Sequence, residues 1–339
     1  SIILAGDTGR IRVYGNDSLE IQGGEIKSAG GIEIEMTGNV TLSSDISSLY
    51  ADRYFNVDGL NFINGTNLLL NGSVNVNVSG DIVNESGSRI VSNGGVTFVS
   101  GEKITNNGEI SGQFINFTGG YLDNNSGAVI TGGNGISVLN ITGTINNSGR
   151  ISGASDLTVR ASEIINNDDM SEISSGGALS VETDLLVNNE GLVFAAGDMN
   201  LTTKTLNNIR GYVYSMGDMH ITGGDISGNT IFNYSGNIES EGDMTIALGS
   251  DGSLVNTGED TGSYTAVPVD VDPIGQNRYS VLWRYRLDST MHTESSFLVS
   301  GGDMTIDGGI ITNHGSVISA AGNLVINADS LINETNTQV

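Results

Sequence analysis

The sequence has no cysteine, 2 prolines and one tryptophan in 339 residues. Without cysteine there is no disulfide framework and no thiolate metal site, an absence that fits a chain crossing membranes unfolded and equally fits cytosol. Two prolines beside 49 glycines suit a protein in which nearly every backbone N–H serves a strand ladder, because proline has none to give. Basic residues are also scarce, 13 against 39 acidic for a net charge of −26. Such a surface repels phosphate, which excludes nucleic acid as a partner, and it offers no polybasic patch to anionic lipid. No apolar run reaches the roughly 18 residues of a membrane-spanning helix, so no membrane insertion is expected. No window combines helical periodicity with caps, and almost no helix is expected.

What the sequence does contain is repetition. Gly-Asp-Met recurs at Gly197-Asp198-Met199, Gly217-Asp218-Met219, Gly242-Asp243-Met244 and within Gly301-Gly302-Asp303-Met304. An Asn-Asn pair starts at Asn106, Asn124, Asn146, Asn166, Asn188 and Asn207, in steps of 18, 22, 20, 22 and 19 residues. A unit of about 20 residues cannot bury an apolar face alone, so neighbouring units must stack into a solenoid.

Inside each unit apolar residues recur at a spacing of two, the period of a strand with one face in and one out. The clearest pairs are Val96/Phe98, Ile115/Phe117, Ile136/Val138, Leu157/Val159, Leu179/Val181, Met199/Leu201, Met219/Ile221, Met244/Ile246, Met304/Ile306 and Leu324/Ile326. A second strand precedes each pair, at Ile90, Ile110, Ile130, Ile151, Val193, Val213, Ile238 and Val317. A third follows, at Ile104, Leu122, Ile164, Leu186, Leu206, Ile226, Leu254 and Leu331. Three short strands per unit, with Gly and Asn at the turns, describe one rung of a parallel β-helix. Asparagines stacked from rung to rung can hydrogen-bond one another.

The expected fold is therefore all-β: a right-handed parallel β-helix of about 15 rungs, read as one domain over 1–339, and a rod of roughly 70 Å at about 4.8 Å per rung. The stretch from Ser47 to Asn71 fits the template poorly and reads as a rung with a longer loop.

The repeat breaks between Asn256 and Phe297, and residues 257–296 read as an insertion. This stretch holds both prolines, Pro268 and Pro273, the only tryptophan, and three arginines within nine positions. Val267, Val269 and Val271 alternate, Pro273-Ile274-Gly275-Gln276-Asn277 supplies a turn, and alternation resumes from Tyr279 to Leu287. The pattern predicts a β-hairpin projecting from the rod. Arg278, Tyr279, Trp283, Arg284, Tyr285 and Arg286 are the candidate binding residues, since Trp, Tyr and Arg dominate interface hot spots and also stack on sugars. The competing reading is a flap that packs its aromatic side onto the solenoid.

Other candidate chemistry belongs to turns and surface. Asp198, Asp218, Asp243 and Asp303 recur with the turn itself and read as a structural turn ladder. Adjacent carboxylates about 5 Å apart resemble the spacing of retaining glycosidases, but a position present on many rungs is not a unique site. No catalytic residue, metal site or cofactor is expected. Asp168-Asp169 and Asp270-x-Asp272 are acidic clusters read as surface charge rather than calcium ligands. Gly132-Gly133-Asn134-Gly135 begins like a calcium nonapeptide, yet Ser137 stands where the ligand Asp belongs. His220, His292 and His314 are too scattered for a metal set. Met199, Met219, Met244 and Met304 read as one core column. Sequons at Asn39, Asn116, Asn140 and Asn200 are common in so Asn-, Ser- and Thr-rich a chain.

The repeat unit resembles Asn-x-Gly-x-Ile-x-Ser-x-Gly-Asp-Leu-x-Ile followed by Leu-x-Asn, the pattern of filamentous haemagglutinin-type repeats in two-partner-secretion exoproteins. Here it stands as Asn233-Tyr234-Ser235-Gly236-Asn237-Ile238-Glu239-Ser240-Glu241-Gly242-Asp243-Met244-Thr245-Ile246, and it returns from Asn313 to Ile326. The resemblance covers 84–339 and, weakly, the part before it. That family includes adhesins and CdiA-type effectors of contact-dependent growth inhibition. Its N-terminal Asn-Pro-Asn-type secretion motif is absent, as is a VENN-like boundary with a toxin module, and the chain opens at Ser1 already in strand-like sequence. The resemblance thus implies an interior, non-enzymatic piece of a fibre at the surface of a Gram-negative bacterium, or secreted from it. The whole protein would be exported by an outer-membrane two-partner-secretion transporter. It would carry an adhesive or toxic tip and touch a receptor, protein or glycan, on target bacteria or host cells. The alternative is a carbohydrate-active β-helix enzyme, a polysaccharide lyase or hydrolase.

Overall fold

The computed structural model describes residues 2–6, 9–224, 228–260, 264–275, 278–287 and 293–335; of these, side chains at 2–4 and 259–294 lie outside the description. All regular structure among the described residues is strand. Three parallel ladders run along the molecule, each passing through fourteen rungs, so the repeat is a parallel β-solenoid with one rung fewer than the sequence estimate. One rung shows the plan: Tyr212–Ser215 in the first ladder, Met219–Thr222 in the second, Thr230–Tyr234 in the third. In five later rungs the second and third strands merge into one, as in Leu179–Asn189 and Met199–Ile209. In the first two of these a buried threonine stands at the junction, and its hydroxyl donates to a carbonyl two residues on, Thr183 to Leu185 at 3.0 Å and Thr203 to Thr205 at 2.9 Å.

Columns of identical or similar side chains fill the interior because parallel in-register pairing stacks equivalent positions. Met199, Met219, Met244 and Met304 are partners in sequence and buried to 1% exposure or less. Phe98 and Phe117 stack with ring centroids 4.6 Å apart and planes 4° apart. Burying each such side chain is worth about 1.5–3 kcal/mol relative to exposure, and the stability of the array is a sum of these neighbour terms.

The corner joining the third ladder to the first is built on asparagine. Asn64, Asn84, Asn106, Asn124, Asn147, Asn166, Asn188, Asn208, Asn233, Asn256, Asn313 and Asn333 form one column through twelve rungs. In each of its eleven steps the Nδ2 of one rung donates to the Oδ1 of the next at 2.7–2.9 Å. The same amide also donates to main-chain carbonyls at the corner, as Asn188 does to Gly191 at 3.0 Å and Tyr212 at 3.1 Å. Every bond points the same way, so the amide dipoles align head to tail and reinforce one another. The following glycine is required by close approach: a Cβ on Gly211 would sit 2.4 Å from the Asn188 Nδ2. In the doublets at 146 and 207 it is the second asparagine, Asn147 or Asn208, that joins the column.

Four sequence expectations need correction. Ile136/Val138 is not an inward pair: Ile136 is 63% exposed, whereas Ser137 and Leu139 are buried. Both faces of that stretch are apolar, and the parity is set by Leu139 and Ile141 together with the bond from the Ile115 N–H to the Ser137 hydroxyl. Likewise Ile318, not Val317, continues the column of Ile238 and Leu298. Ile226 lies outside the described residues, and its position in the third ladder belongs to Ile231, between Leu206 and Leu254. The stretch Ser47–Asn71 carries no longer loop. Ile46–Ala51, Tyr54–Gly59 and Phe62–Asn64 form an ordinary rung whose Gly-Asp and doublet-Asn signals are missing while its core residues Phe55 and Phe62 are present.

Candidate binding surface

The chain leaves the solenoid at the asparagine corner after Thr257 and rejoins it at Ser296. The ladders and the asparagine column all continue across the gap: Ile238 pairs with Leu298, Met244 with Met304, and the Asn256 amide donates to Asn313 at 2.9 Å, with bulges confined to Ala247–Ser253 between the second and third ladders. Ser296 occupies the corner glycine's position. It is fully buried, and its hydroxyl donates to the carbonyls of Thr257 at 2.6 Å and Asn233 at 3.0 Å. These bonds hold the two chain ends together. The first residues of the inserted stretch, Glu259–Asp260, pair antiparallel with the last, Thr293–Glu294.

Beyond that clasp, Tyr264–Gly275 pairs antiparallel with Arg278–Leu287, Tyr264 opposite Leu287 and Pro273 opposite Tyr279. The six candidate binding residues, Arg278, Tyr279, Trp283, Arg284, Tyr285 and Arg286, therefore lie on one strand. Their side chains are outside the described part, as are those of Asp270 and Asp272 and the whole of His292, Gln276 and Asn277.

The solenoid surface at the root of the insertion carries a feature that pattern reading missed. An open groove of about 460 Å³ is lined by Arg210, Tyr212, Ser235, Asn237, Ser295 and Phe297, with Gly211. Tyr212, Asn237 and Phe297 are register partners on three consecutive rungs of the first ladder, and Tyr212 is 55% and Phe297 37% exposed. More aromatics stand nearby, Phe194 stacked on Tyr214 and Phe232 on Tyr234, each with centroids 5.8 Å apart. Aligning the repeats on the asparagine column, rather than on apolar pairs, brings Tyr212 and Phe297 into one outward column and was the signal that could have found them.

The repeated aspartates meet main-chain amides. Asp198 accepts the N–H of Asp218 at 3.0 Å, Asp218 that of Asp243 at 2.9 Å, Asp243 that of Asp303 at 2.8 Å, and Asp303 that of Asn323 at 2.7 Å. Each carboxylate caps the rung above, and the glycine before the capped residue leaves room for it: a Cβ on Gly217 would lie 2.3 Å from the Asp198 Oδ1. The Asn323 main-chain N–H and then its side-chain amide hold Asp303 below the usual carboxylate range, because both bonds favour the charged form. At Asp169 the neighbouring Asp168 carboxyl acts oppositely and raises the pKa.

Elsewhere several of the rod's basic residues pair with acids on the adjacent rung, Arg12 with Glu33 at 2.9 Å, Arg89 with Glu109 at 2.7 Å and Arg160 with Glu182 at 3.1 Å. The last pair lies in a second open groove, of about 470 Å³, with Asp184 and Lys204. His220 is exposed on the second ladder, and His314 ends a strand. Among the described residues no three His, Asp or Glu side chains converge as metal ligands would. The sequon asparagines Asn116, Asn140 and Asn200 face outward on the second ladder, while Asn39 is half-buried.

Comparison with known families assigns the repeat. The haemagglutinin repeat model matches at 22–108, 69–143, 114–183, 174–258 and 293–338, well over half of the chain. The chain belongs to the haemagglutinin repeat family. The family matches stop at 258 and resume at 293, the same corner at which the ladders open for the insertion. No curated protein and no solved structure matches the chain. Among the described residues no helix is long and apolar enough to cross a membrane. Membership in this repeat family and the stacked architecture fit an adhesin-like fibre, a structural rather than enzymatic protein.

Proposed function

We propose that this chain is a rigid segment of a secreted, surface-displayed exoprotein fibre, exported through a two-partner-secretion transporter, that holds a binding or toxin-delivery tip away from the cell. The observation that carries the reading is mechanical: three ladders run through fourteen rungs, twelve of them joined by the asparagine column. Pairing continues past the insertion, Met244 with Met304 and Asn256 with Asn313, and among the described residues bulges in the ladders are confined to Gly24–Glu25 and Ala247–Ser253. A structure bonded at every rung along one axis transmits position over its length. The aspartate column is structural in this reading, since each of its carboxylates is committed to a main-chain N–H. The second element of the proposal is that the insertion contacts a cell-surface receptor. Its support is the gathering of Trp283, Tyr279, Tyr285 and three arginines on one strand of an insertion whose root on the solenoid carries a groove exposing Tyr212 and Phe297. Contact-dependent growth inhibition and host adhesion are the two settings in which such a segment works.

Binding of the purified chain to bacterial and host cells, compared with a variant in which 258–295 is replaced by a short glycine-containing turn, tests the proposal. Both proteins must give the same far-ultraviolet circular dichroism. Binding by the intact chain alone supports a recognition element, and the cell type bound separates inhibition from adhesion. Equal binding by both proteins moves recognition to the rod, and no binding by either leaves a stalk without a receptor contact.

A further inference from the structure

The antiparallel pair inside the insertion is a two-stranded sheet, which has two outer edges, each a row of N–H and C=O groups that another strand can use. The two edges differ. Tyr264–Gly275 contains both prolines of the sequence. Both register shifts of the pairing fall beside them, between Pro268 and Asp270 and between Pro273 and Gly275. Proline and the bulge are two devices by which proteins blunt a strand edge, and this strand uses each twice. Arg278–Leu287 runs for 10 residues without proline or glycine. Among the described residues it pairs with Tyr264–Gly275 alone, and its other edge has neither device.

The prolines also fix which groups lie on that edge. In an antiparallel ladder proline is tolerated where its missing N–H would point away from the partner strand, and residues directly opposite share the orientation. Pro268 is opposite Trp283, and Pro273 is opposite Tyr279. Each assigns outward main-chain groups to the odd-numbered residues, Tyr279, Val281, Trp283 and Tyr285. Two prolines on either side of a bulge agree on one parity.

Charge selects the occupant. The strand carries Arg278, Arg284 and Arg286 and no acidic residue, in a chain whose net charge is −26. A second copy laid antiparallel about Leu282 sets Arg278 against Arg286, and about Val281 it sets Arg278 against Arg284, whereas about Trp283 it opposes no arginines but still adds three positive charges. Like charges directly opposite are destabilising. A strand with three positive charges and no negative one therefore favours an acidic strand over a second copy of itself, which brings only more positive charge. We propose that the Arg278–Leu287 edge accepts an extended, acidic segment of a partner protein as a third strand, with main-chain bonds supplying affinity and the arginines selectivity. This deepens the reading of the insertion as a recognition element and rests on it.

The test uses the intact chain and three synthetic peptides of the strand's length: alternating valine and glutamate, alternating valine and lysine, and the glutamate peptide N-methylated at alternate residues. Hydrogen exchange is read residue by residue. The glutamate peptide should slow the amides of Tyr279, Val281, Trp283 and Tyr285 by about tenfold at saturation, while the other two do not. Val281→Pro deletes one outward N–H; it should abolish the slowing yet leave exchange at Ser280 and Leu282 as in the parent, which shows that the pair still forms. Leu282→Pro, on the inward parity, should raise exchange along both strands. Equal slowing by the N-methylated peptide, slowing at the even-numbered residues, or no slowing at all overturns the proposal. So does protection of the odd-numbered amides before any peptide is added, because the edge is then covered by the chain's own solenoid. Cell binding separates the two levels. If deletion of 258–295 abolishes it and Val281→Pro does not, recognition stands and strand addition falls; if the intact chain binds no cell, the recognition reading itself falls.

Discussion

Replacing Asn208 by alanine should cost the array about 1–3 kcal/mol. The side chain is fully buried. It accepts the Asn188 amide at 2.8 Å and donates to Asn233 at 2.8 Å, to the Gly211 carbonyl at 3.0 Å and to the Asn237 carbonyl at 3.1 Å. The Gly211 carbonyl keeps a second donor, the N–H of Asn237 at 2.9 Å. The Asn188 amide keeps the Gly191 and Tyr212 carbonyls as acceptors, so the Oδ1 of Asn233 is the side-chain group that loses its rung-to-rung donor. Each unsatisfied buried polar group costs about 1–3 kcal/mol. Asn208→Asp keeps the shape but turns the donors toward Asn233 into acceptors, and it should be no milder. Asn75→Ala is the control, because its bond to Asn56, at 2.9 Å, is exposed and should be worth about 0.5 kcal/mol or less. Urea denaturation followed by circular dichroism gives the midpoints, and hydrogen exchange at rungs on either side shows whether the loss is local, as a repeat array requires. The double variant Asn188→Ala/Asn208→Ala should cost less than the sum of the singles, since the bond between them is lost only once. If Asn208→Ala and Asn75→Ala destabilise equally, the column is a consequence of stacking and not a cause of it.

Three further outcomes follow from the same geometry. Gly217→Ala should destabilise by about 1–3 kcal/mol, as overpacking does, because the new methyl must displace the Asp198 carboxylate; thermal melts of G217A against Gly87→Ala, where no atom lies within 4 Å but φ is +76°, separate crowding from backbone strain. Asp303 has a depressed pKa in the folded state, so its contribution is present above the unfolded aspartate value of about 3.9 and is lost as pH falls through the folded value; the difference in urea midpoint between the parent and Asp303→Asn should be full at neutral pH and vanish in acid. Replacing 258–295 with a short turn should leave the circular dichroism and the melting of the rod unchanged, because the Met244–Met304 pairing and the Asn256–Asn313 bond already span the gap.

The period, the strand count per rung and the core columns were legible because stacking imposes the same requirement at every rung: Met219 is apolar for the same reason as Met244. The parity error at Ile136 arose where this local rule fails, since Ile136, Val138, Leu139 and Ile141 offer apolar residues to both faces and only the neighbouring rung decides between them. The asparagine column was half visible. Doublets drew attention to Asn106 and Asn188, but membership depends on position in the corner, and the single asparagines Asn64, Asn84 and Asn256 qualify equally. The insertion announced itself by breaking the rule. The groove at its root did not, because Tyr212 and Phe297 are separated by the whole inserted stretch and meet only once the ladders close over it.

The corner at Thr257 and Ser296 has a consequence for how such proteins diversify. A stretch of chain longer than a whole rung enters and leaves there, and the asparagine on one side still finds the asparagine on the other. Reach and display are thus independent variables in this architecture. Adding or losing rungs changes how far the molecule extends, while exchanging what is threaded through a corner changes what it meets, and neither edit requires the other to be renegotiated. A lineage can swap one accessory for another in a single recombination event and inherit the rod intact. Protein engineers can use the same port to seat a foreign loop or a reporter partway along a stiff scaffold.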